Sequence, residues 1–397
     1  MDGKTLIRHI QQWLHLKSNA LKISTADLTP PSIPIEIFSA DQMARYGATL
    51  AFSHTLTQKP VPDSLLERLS NSEALLIESC DILTKKTNEN DGFSPAREWL
   101  LDNFYLIQEQ IYAIRRHLPK GYGRSLPQLA SSVGGYPRIY DIALQIIEHS
   151  DGRWDLENLN SFVAAYQSVT SLTLGELWAT PITLGVALIE NLSKASKRIV
   201  ADRNDRKLAG FWADRLLEVA LSDPKKLVIV IADMAHSEPV MSSAYVAELA
   251  RLLHGAALAL PMSWIEQHLA EEGLTIEAMV QEENKHQAAI QVTVSNSIVG
   301  LRHLATVDWR NFVESMSVVE KTLQLDPSST YSMMDFGTRD RYRHVVERLS
   351  RASAQSEQVV AETAIQLAKI KSDSIIRNMQ EINSSFFARR TRYAQTL

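Results

Sequence analysis

The run Ser94–Leu118, SPAREWLLDNFYLIQEQIYAIRRHL, decides the fold. Leu100, Phe104, Ile107, Ile111 and Ile114 recur at alternating spacings of four and three, which is the period of one buried helix face. Ser94 and Pro95 stand where an N-cap and a first helical residue belong. Leu118-Pro119-Lys120-Gly121 ends the pattern, because proline offers no backbone donor and glycine favours turns.

The same period continues on both sides of this run. Upstream it predicts a helix over 4–20, a break at Thr29-Pro30-Pro31-Ser32-Ile33-Pro34, and a helix over 63–86 opened by Pro62-Asp63. Downstream, a loop reaches Pro137, and helices are expected over 138–149, 155–169, 173–201 and 204–222. The run KLVIVIAD, 226–233, has the β-branched content of a strand, but it follows Asp223-Pro224 and has no second strand-like run beside it. It is therefore read as helix. Further helices fit 243–256, 262–270, 275–303, 308–324, 338–352 and 354–383. The fold class expected is all-α, a multi-helix array or a bundle of helical hairpins with little or no β structure. The polar stretch KKTNENDG, 85–92, divides a helical N-terminal subdomain (1–90) from a main helical domain (91–370). A helical extension with a basic tail at Arg389, Arg390 and Arg392 follows (371–397).

Composition narrows the function classes. Of 397 residues, 45% are hydrophobic and 22% charged, so the chain can bury a core. With 41 Lys and Arg against 46 Asp and Glu the net charge is −5, which excludes a basic nucleic-acid footprint. Cys80 is the only cysteine, so neither an intrachain disulfide nor a cysteine-rich zinc site can form. The N-terminus lacks the apolar stretch of a signal peptide. The longest apolar run, Leu177–Ile189, is too short to span a bilayer and is flanked by Glu176 and Glu190, so no transmembrane segment is expected.

Three constellations could carry chemistry. In the first, Asp102 and Glu109 lie seven residues apart and so share a helix face, and Asn103 and Gln110 do the same one position on. That stripe either completes an amphipathic helix or lines a cleft. The second is Leu172–Leu192, LTLGELWATPITLGVALIENL, in which Glu176 and Glu190 bracket an apolar run and Trp178 lies beside the first. Carboxylate plus indole suits a sugar: one accepts hydroxyl hydrogen bonds and the other covers a pyranose face. Acid/base hydrolysis by the two glutamates would need them roughly 5–10 Å apart. One continuous helix would hold them about 21 Å apart, so hydrolysis requires a break at Pro181 or Gly185.

The third constellation joins Asp308–Leu323, DWRNFVESMSVVEKTL, to Met334–Ser350, MDFGTRDRYRHVVERLS. Asp308 is expected to cap a helix over a core stripe of Phe312, Met316, Val319 and Leu323. Thr338 is expected to cap a second helix, with Asp340 in its first turn. Tyr342, Val345, Val346 and Leu349 are read as facing inward. Arg339, Arg341 and Arg343 either grip phosphate or carboxylate, or lock helix to helix through salt bridges. His117, His149 and Asp151 have no metal spacing, and no nucleotide-loop or zinc-protease motif is present in a fitting context. Gly134-Gly135-Tyr136-Pro137-Arg138 reads as a turn before a helix, where an anion could also sit.

The run from Ser94 to Leu129 with GGYPRIYDIA after it resembles the cyclic β-1,2-glucan synthase family. So do Leu172–Leu192, Asn284–Leu304 and Asp308–Ser350. The resemblance covers about residues 94–370. It implies a large inner-membrane enzyme that joins glucose from UDP-glucose into β-1,2 chains on a protein-linked intermediate, then cyclises and releases them. In that family this helical region precedes the membrane helices and the transferase domain. The acidic metal–diphosphate residues and Q-x-x-R-W-like element of such a transferase are not visible here. Asp202 and Asp205 are a close acidic pair in what reads as a polar helical linker. The resemblance thus implies an accessory helical module, not catalytic alone and needing no cofactor of its own, at the cytoplasmic face of the inner membrane. Its partner would be β-1,2-glucan or the membrane-embedded transferase portion. A scaffold without sugar affinity, and an autonomous carbohydrate-active enzyme in a helical barrel, are the alternatives. The last would need two carboxylates to converge from among Asp102, Glu109, Glu176, Glu190, Asp308, Glu314 and Asp335. The residues expected to bind glucan or a partner are Asp102, Asn103, Glu109, Arg138, Glu176, Trp178, Glu190, Asn191, Trp309, Glu314, Asp335, Arg339, Asp340, Arg341 and Arg343.

Overall fold

One helix of 49 residues, Leu174–Ser222, forms the axis of the unit that begins at Phe38. It is about 74 Å long at 1.5 Å per residue. The computed structural model describes residues 37–57, 64–85, 94–119, 121–130, 136–253 and 259–374. The expected helix at 4–20, its proline break, the polar stretch 86–92, Gly134-Gly135 and the basic tail lie outside these residues. The described elements belong to one unit beginning at Phe38.

The fold is all-α. Apart from a single turn at Tyr122–Ser125, the helices in chain order are α1 (Ala40–Ser53), α2 (Leu65–Thr84), α3 (Pro95–Asp102), α4 (Phe104–His117), α5 (Arg138–His149), α6 (Leu156–Gln167) and the axial α7 (Leu174–Ser222). Then come α8 (Leu227–His236), α9 (Ser243–Leu252), α10 (Ala259–Glu271), α11 (Ile276–Leu304), α12 (Trp309–Met316), α13 (Val318–Leu323), α14 (Phe336–Ser353) and α15 (residues 357–374). A two-stranded antiparallel ribbon pairs Leu56 with Leu129 and Thr57 with Gln128.

Two hydrophobic cores are threaded on α7. The first surrounds its N-terminal half, where every side chain from Thr183 to Glu190 is buried. A helix that is apolar on all sides needs neighbours all around it, and α2, α4, α5 and α11 supply them. Gly185 permits that closeness: a Cβ there would lie 2.7 Å from the Ile114 side chain of α4. The second core gathers Trp212, Leu216, Met234, Tyr245, Leu249, Ile265 and Leu269 around the C-terminal half. KLVIVIAD accordingly lies in a helix, with Leu227, Val230, Ile231 and Met234 turned inward. A small third cluster holds Val319, Leu323, Tyr331, Val346, Ala361 and Ile365.

Several boundaries differ from the sequence reading. The helices expected at 173–201 and 204–222 are one. The polar DRND segment does not interrupt it, because partners on other helices satisfy its charges. Asp202 lies 3.3 Å from His286, Asp205 accepts from Ser242 at 2.6 Å, and Arg206 donates to Glu283 at 2.7 Å. Burial pushes the Asp205 carboxyl up to about 6. The helix expected from Ser94 breaks at Asn103, whose side-chain amide donates to the Trp99 carbonyl at 2.8 Å. The helix expected over 308–324 is two, because the Ser317 side chain caps a new one at Glu320 N. Asp335, not Thr338, caps α14, its carboxylate accepting from Thr338 N at 3.0 Å. Of the four residues expected to face inward there, only Val346 is buried; Tyr342, Val345 and Leu349 are exposed. The fully buried Arg343 sets the helix's rotation instead.

Candidate functional site

Arg138, Glu176, Trp178, Glu314, Arg339, Asp340 and Arg343 gather at the first turns of α7 and the C-terminal helices packed on them. Thr173 caps α7 and forms a capping box with Glu176, whose carboxylate accepts from the Thr173 N–H at 2.8 Å and the Thr173 hydroxyl at 3.0 Å. Arg138, at the start of α5, grips the same carboxylate with both arms, Nε to Oε1 at 2.8 Å and Nη2 to Oε2 at 2.6 Å. Its Nη2 also donates to the Ser171 carbonyl at 3.0 Å. The two side chains are 2% and 0% exposed, so each neutralises a charge that burial would otherwise make very costly.

Glu357, at the start of α15, reaches the same helix end. Its Oε2 accepts from Leu174 N at 2.8 Å. A carboxylate at a helix N-terminus answers both the orphan N–H groups and the dipole. Burial nonetheless pushes Glu357 up to about 7, against the Leu174 hydrogen bond that favours the anion. Glu347 and Glu176 add to the rise and Arg351 opposes it.

One turn further on, Trp178 packs edge-to-face on Phe336, ring centroids 6.5 Å apart. The Arg343 and Arg310 guanidinium carbons lie 5.1 and 5.5 Å from the Phe336 centroid. Beyond it α12, α13 and α14 share one charge network. Arg343 donates to Glu320 at 2.5 Å, Glu314 at 3.1 Å and Asp340 at 3.0 Å. Arg339 donates to Glu314 at 3.0 Å and to Glu320 at 3.4 Å. The Tyr331 hydroxyl and Gln324 amide complete Glu320 at 2.6 and 2.7 Å. Burial alone would raise the Glu320 pKa, but these donors hold it below the ordinary carboxylate value. Two guanidinium groups face three carboxylates through their terminal nitrogens, while the Nε of Arg339 and the Nε of Arg343 are buried without a hydrogen-bond partner. Arg341 is turned outward and exposed.

The remaining candidates lie apart from this cluster. Glu190 sits on α7 about 21 Å from Glu176, since the helix runs unbroken through Pro181 and Gly185. Those two carboxylates therefore do not converge for hydrolysis. Glu190 is held instead by Arg68 of α2, through Nε at 2.8 Å and Nη2 at 3.1 Å, and Arg68 also donates to the Tyr140 hydroxyl. Asn191 donates to Ser297 at 3.1 Å. Trp309 donates its indole N–H to the Leu304 carbonyl at 2.9 Å. Asp308 caps α12, accepting from Arg310 N and Asn311 N. Asn103 accepts from Arg302 of α11 at 2.5 Å. Asp102 and Glu109 are exposed, on two helices rather than one. Among the described residues, no group of three His, Cys, Asp or Glu side chains could hold a metal ion.

Glu320, Arg68 and Glu357 have central places here that sequence reasoning did not give them. Glu320 stands next to Val319 in an apolar stripe, and its burial follows from that register. Arg68 and Glu357 meet partners 122 and 183 residues away, which no local pattern announces.

The chain is 32% identical over 343 residues to the cyclic beta-(1,2)-glucan synthase NdvB of Rhizobium meliloti (strain 1021). It is similar in sequence to part of that synthase. The match covers 85% of this chain and 12% of that synthase, so the relationship concerns one part of a much longer protein. No family model matches the chain. No helix among the described residues is long and apolar enough to cross a membrane.

Proposed function

We propose that the chain is an accessory helical module of cyclic β-1,2-glucan synthesis, positioning the transferase or guiding the nascent glucan. The observation that carries this reading is the relationship over 85% of the chain to a small part of a glucan synthase. The charge clusters support a structural rather than catalytic part for most of the candidate residues. Arg138 is paired with Glu176, Arg68 with Glu190, and Arg339 and Arg343 with Glu314 and Glu320. UDP-glucose would be the donor used by the transferase, and this chain would work beside it at the cytoplasmic face of the inner membrane. A second reading, docking to protein without sugar affinity, is favoured by the exposed Tyr342, Val345 and Leu349 on α14.

Calorimetric titration of the whole chain with linear β-1,2-gluco-oligosaccharides separates the two. Guiding the glucan predicts saturable heat at millimolar sugar. Silence there would leave protein docking as the role.

A further inference from the structure

We propose that the outer face of α4 is a glucan-contacting platform in which Tyr105 and Tyr112 stack on the sugar; this rests on the glucan-guiding reading above. Tyr105 is 65% and Tyr112 75% exposed, although the opposite face of the same helix, Ile107, Ile111 and Ile114, is buried in the first core. Seven residues of α-helix place the two rings on one side, about 10 Å apart along the axis. Each can therefore take its own pyranose. Between and beside them stand Gln108, Glu109 and Arg116, all exposed. An amide, a carboxylate and a guanidinium offer both donors and acceptors to hydroxyl groups.

The charge on this face selects the ligand. Glu109 and Arg116 cancel, which suits an uncharged polyhydroxy chain better than an anionic lipid or nucleic acid. Among the described residues of α4, no aliphatic side chain is exposed. That separates it from the α14 face, where Val345 and Leu349 suit protein docking. Rings held on a rigid support lose little freedom when they bind. Here the support is fixed by its buried isoleucines, by Arg115 paired to Glu73 of α2, and by Arg302 bonded to Asn103 at its N-terminal end. Trp178, the indole that sequence reading marked for a sugar, is instead packed against Phe336.

The test is calorimetry of the full chain with linear β-1,2-gluco-oligosaccharides, comparing wild type with Tyr105→Ala, Tyr112→Ala and Tyr112→Phe. Both positions are exposed, so circular dichroism should be unchanged in all three. Each alanine is expected to weaken binding about tenfold, the equivalent of ~1.4 kcal/mol. Phenylalanine keeps the ring and should retain most of the affinity. Wild-type binding that both alanine variants preserve would overturn the platform and leave the glucan-guiding reading standing. Absence of binding by wild type would remove that reading and the platform with it. Unchanged sugar affinity with lost capture of the synthase's membrane-embedded part would make this face a protein interface and would also overturn the proposal.

Discussion

Arg138→Met is expected to destabilise the chain by about 3–5 kcal/mol, the usual cost of stranding one member of a buried ion pair. Glu176 would then keep its Thr173 donors, but its charge would have no counterion in a site closed to water. The Ser171 carbonyl would also lose a donor. The damage would fall on the first turn of α7, around which the first core is built. Pairing the change with Glu176→Gln should restore much of the loss, because the glutamine carbonyl can still accept from Thr173 while the orphaned charge is gone. Urea denaturation followed by far-ultraviolet circular dichroism measures both. A single-variant loss below about 1 kcal/mol, the range of an exposed pair, would show that the arginine is not what keeps this carboxylate buried.

The second large effect concerns pH. Glu357 moves from an ordinary 4.5 up to about 7 because it is buried. A carboxyl raised on folding favours the folded state most when protonated. Its contribution is therefore complete below about 4.5 and is lost as pH rises through about 7. The interval from 4.5 to about 7 corresponds to at most about 3.4 kcal/mol. Glu357→Gln removes the charge and keeps a carbonyl to accept the Leu174 N–H. The variant should melt at the same temperature as wild type at pH 4.5 and higher than wild type at pH 8. Asp205 and His286 are also raised, Asp205 by burial and His286 chiefly by its hydrogen bond to Asp202, so both add acid-side stability. They are common to both proteins, and the difference between the two melting curves isolates Glu357. Equal curves across the range would mean that Glu357 does not titrate against the end of α7.

Periodicity made the fold legible where apolar side chains meet apolar side chains. Leu100, Ile107, Ile111 and Ile114 are buried as their spacing predicts, and Asp155, Thr275 and Asp308 cap helices near where the sequence starts them. It failed where polar groups decide the geometry. The apolar stripe passes across Asn103 without a sign that the backbone turns there. The DRND segment looks like a linker because its partners, Ser242, Glu283 and His286, lie on other helices. On α14 the apolar residues suggested one inward face, yet the three carboxylates around Arg343 turn a different one inward. The candidate site was legible in its residue types but not in their partners. Arg138 and Glu176 were both marked, but nothing local joined residues 38 apart. Tyr105 and Tyr112 did not stand out in the sequence; the burial of their helix's other face shows that both rings are left to solvent.

The proposed part of this chain in β-1,2-glucan synthesis is tested by the cyclic β-1,2-glucan content of cells. Content would be compared in the organism that carries the chain, in a strain lacking its coding sequence, and in that strain with it restored. Glucan that falls sharply on deletion and returns on restoration is the expected result. Unchanged glucan in the deleted strain would contradict the account.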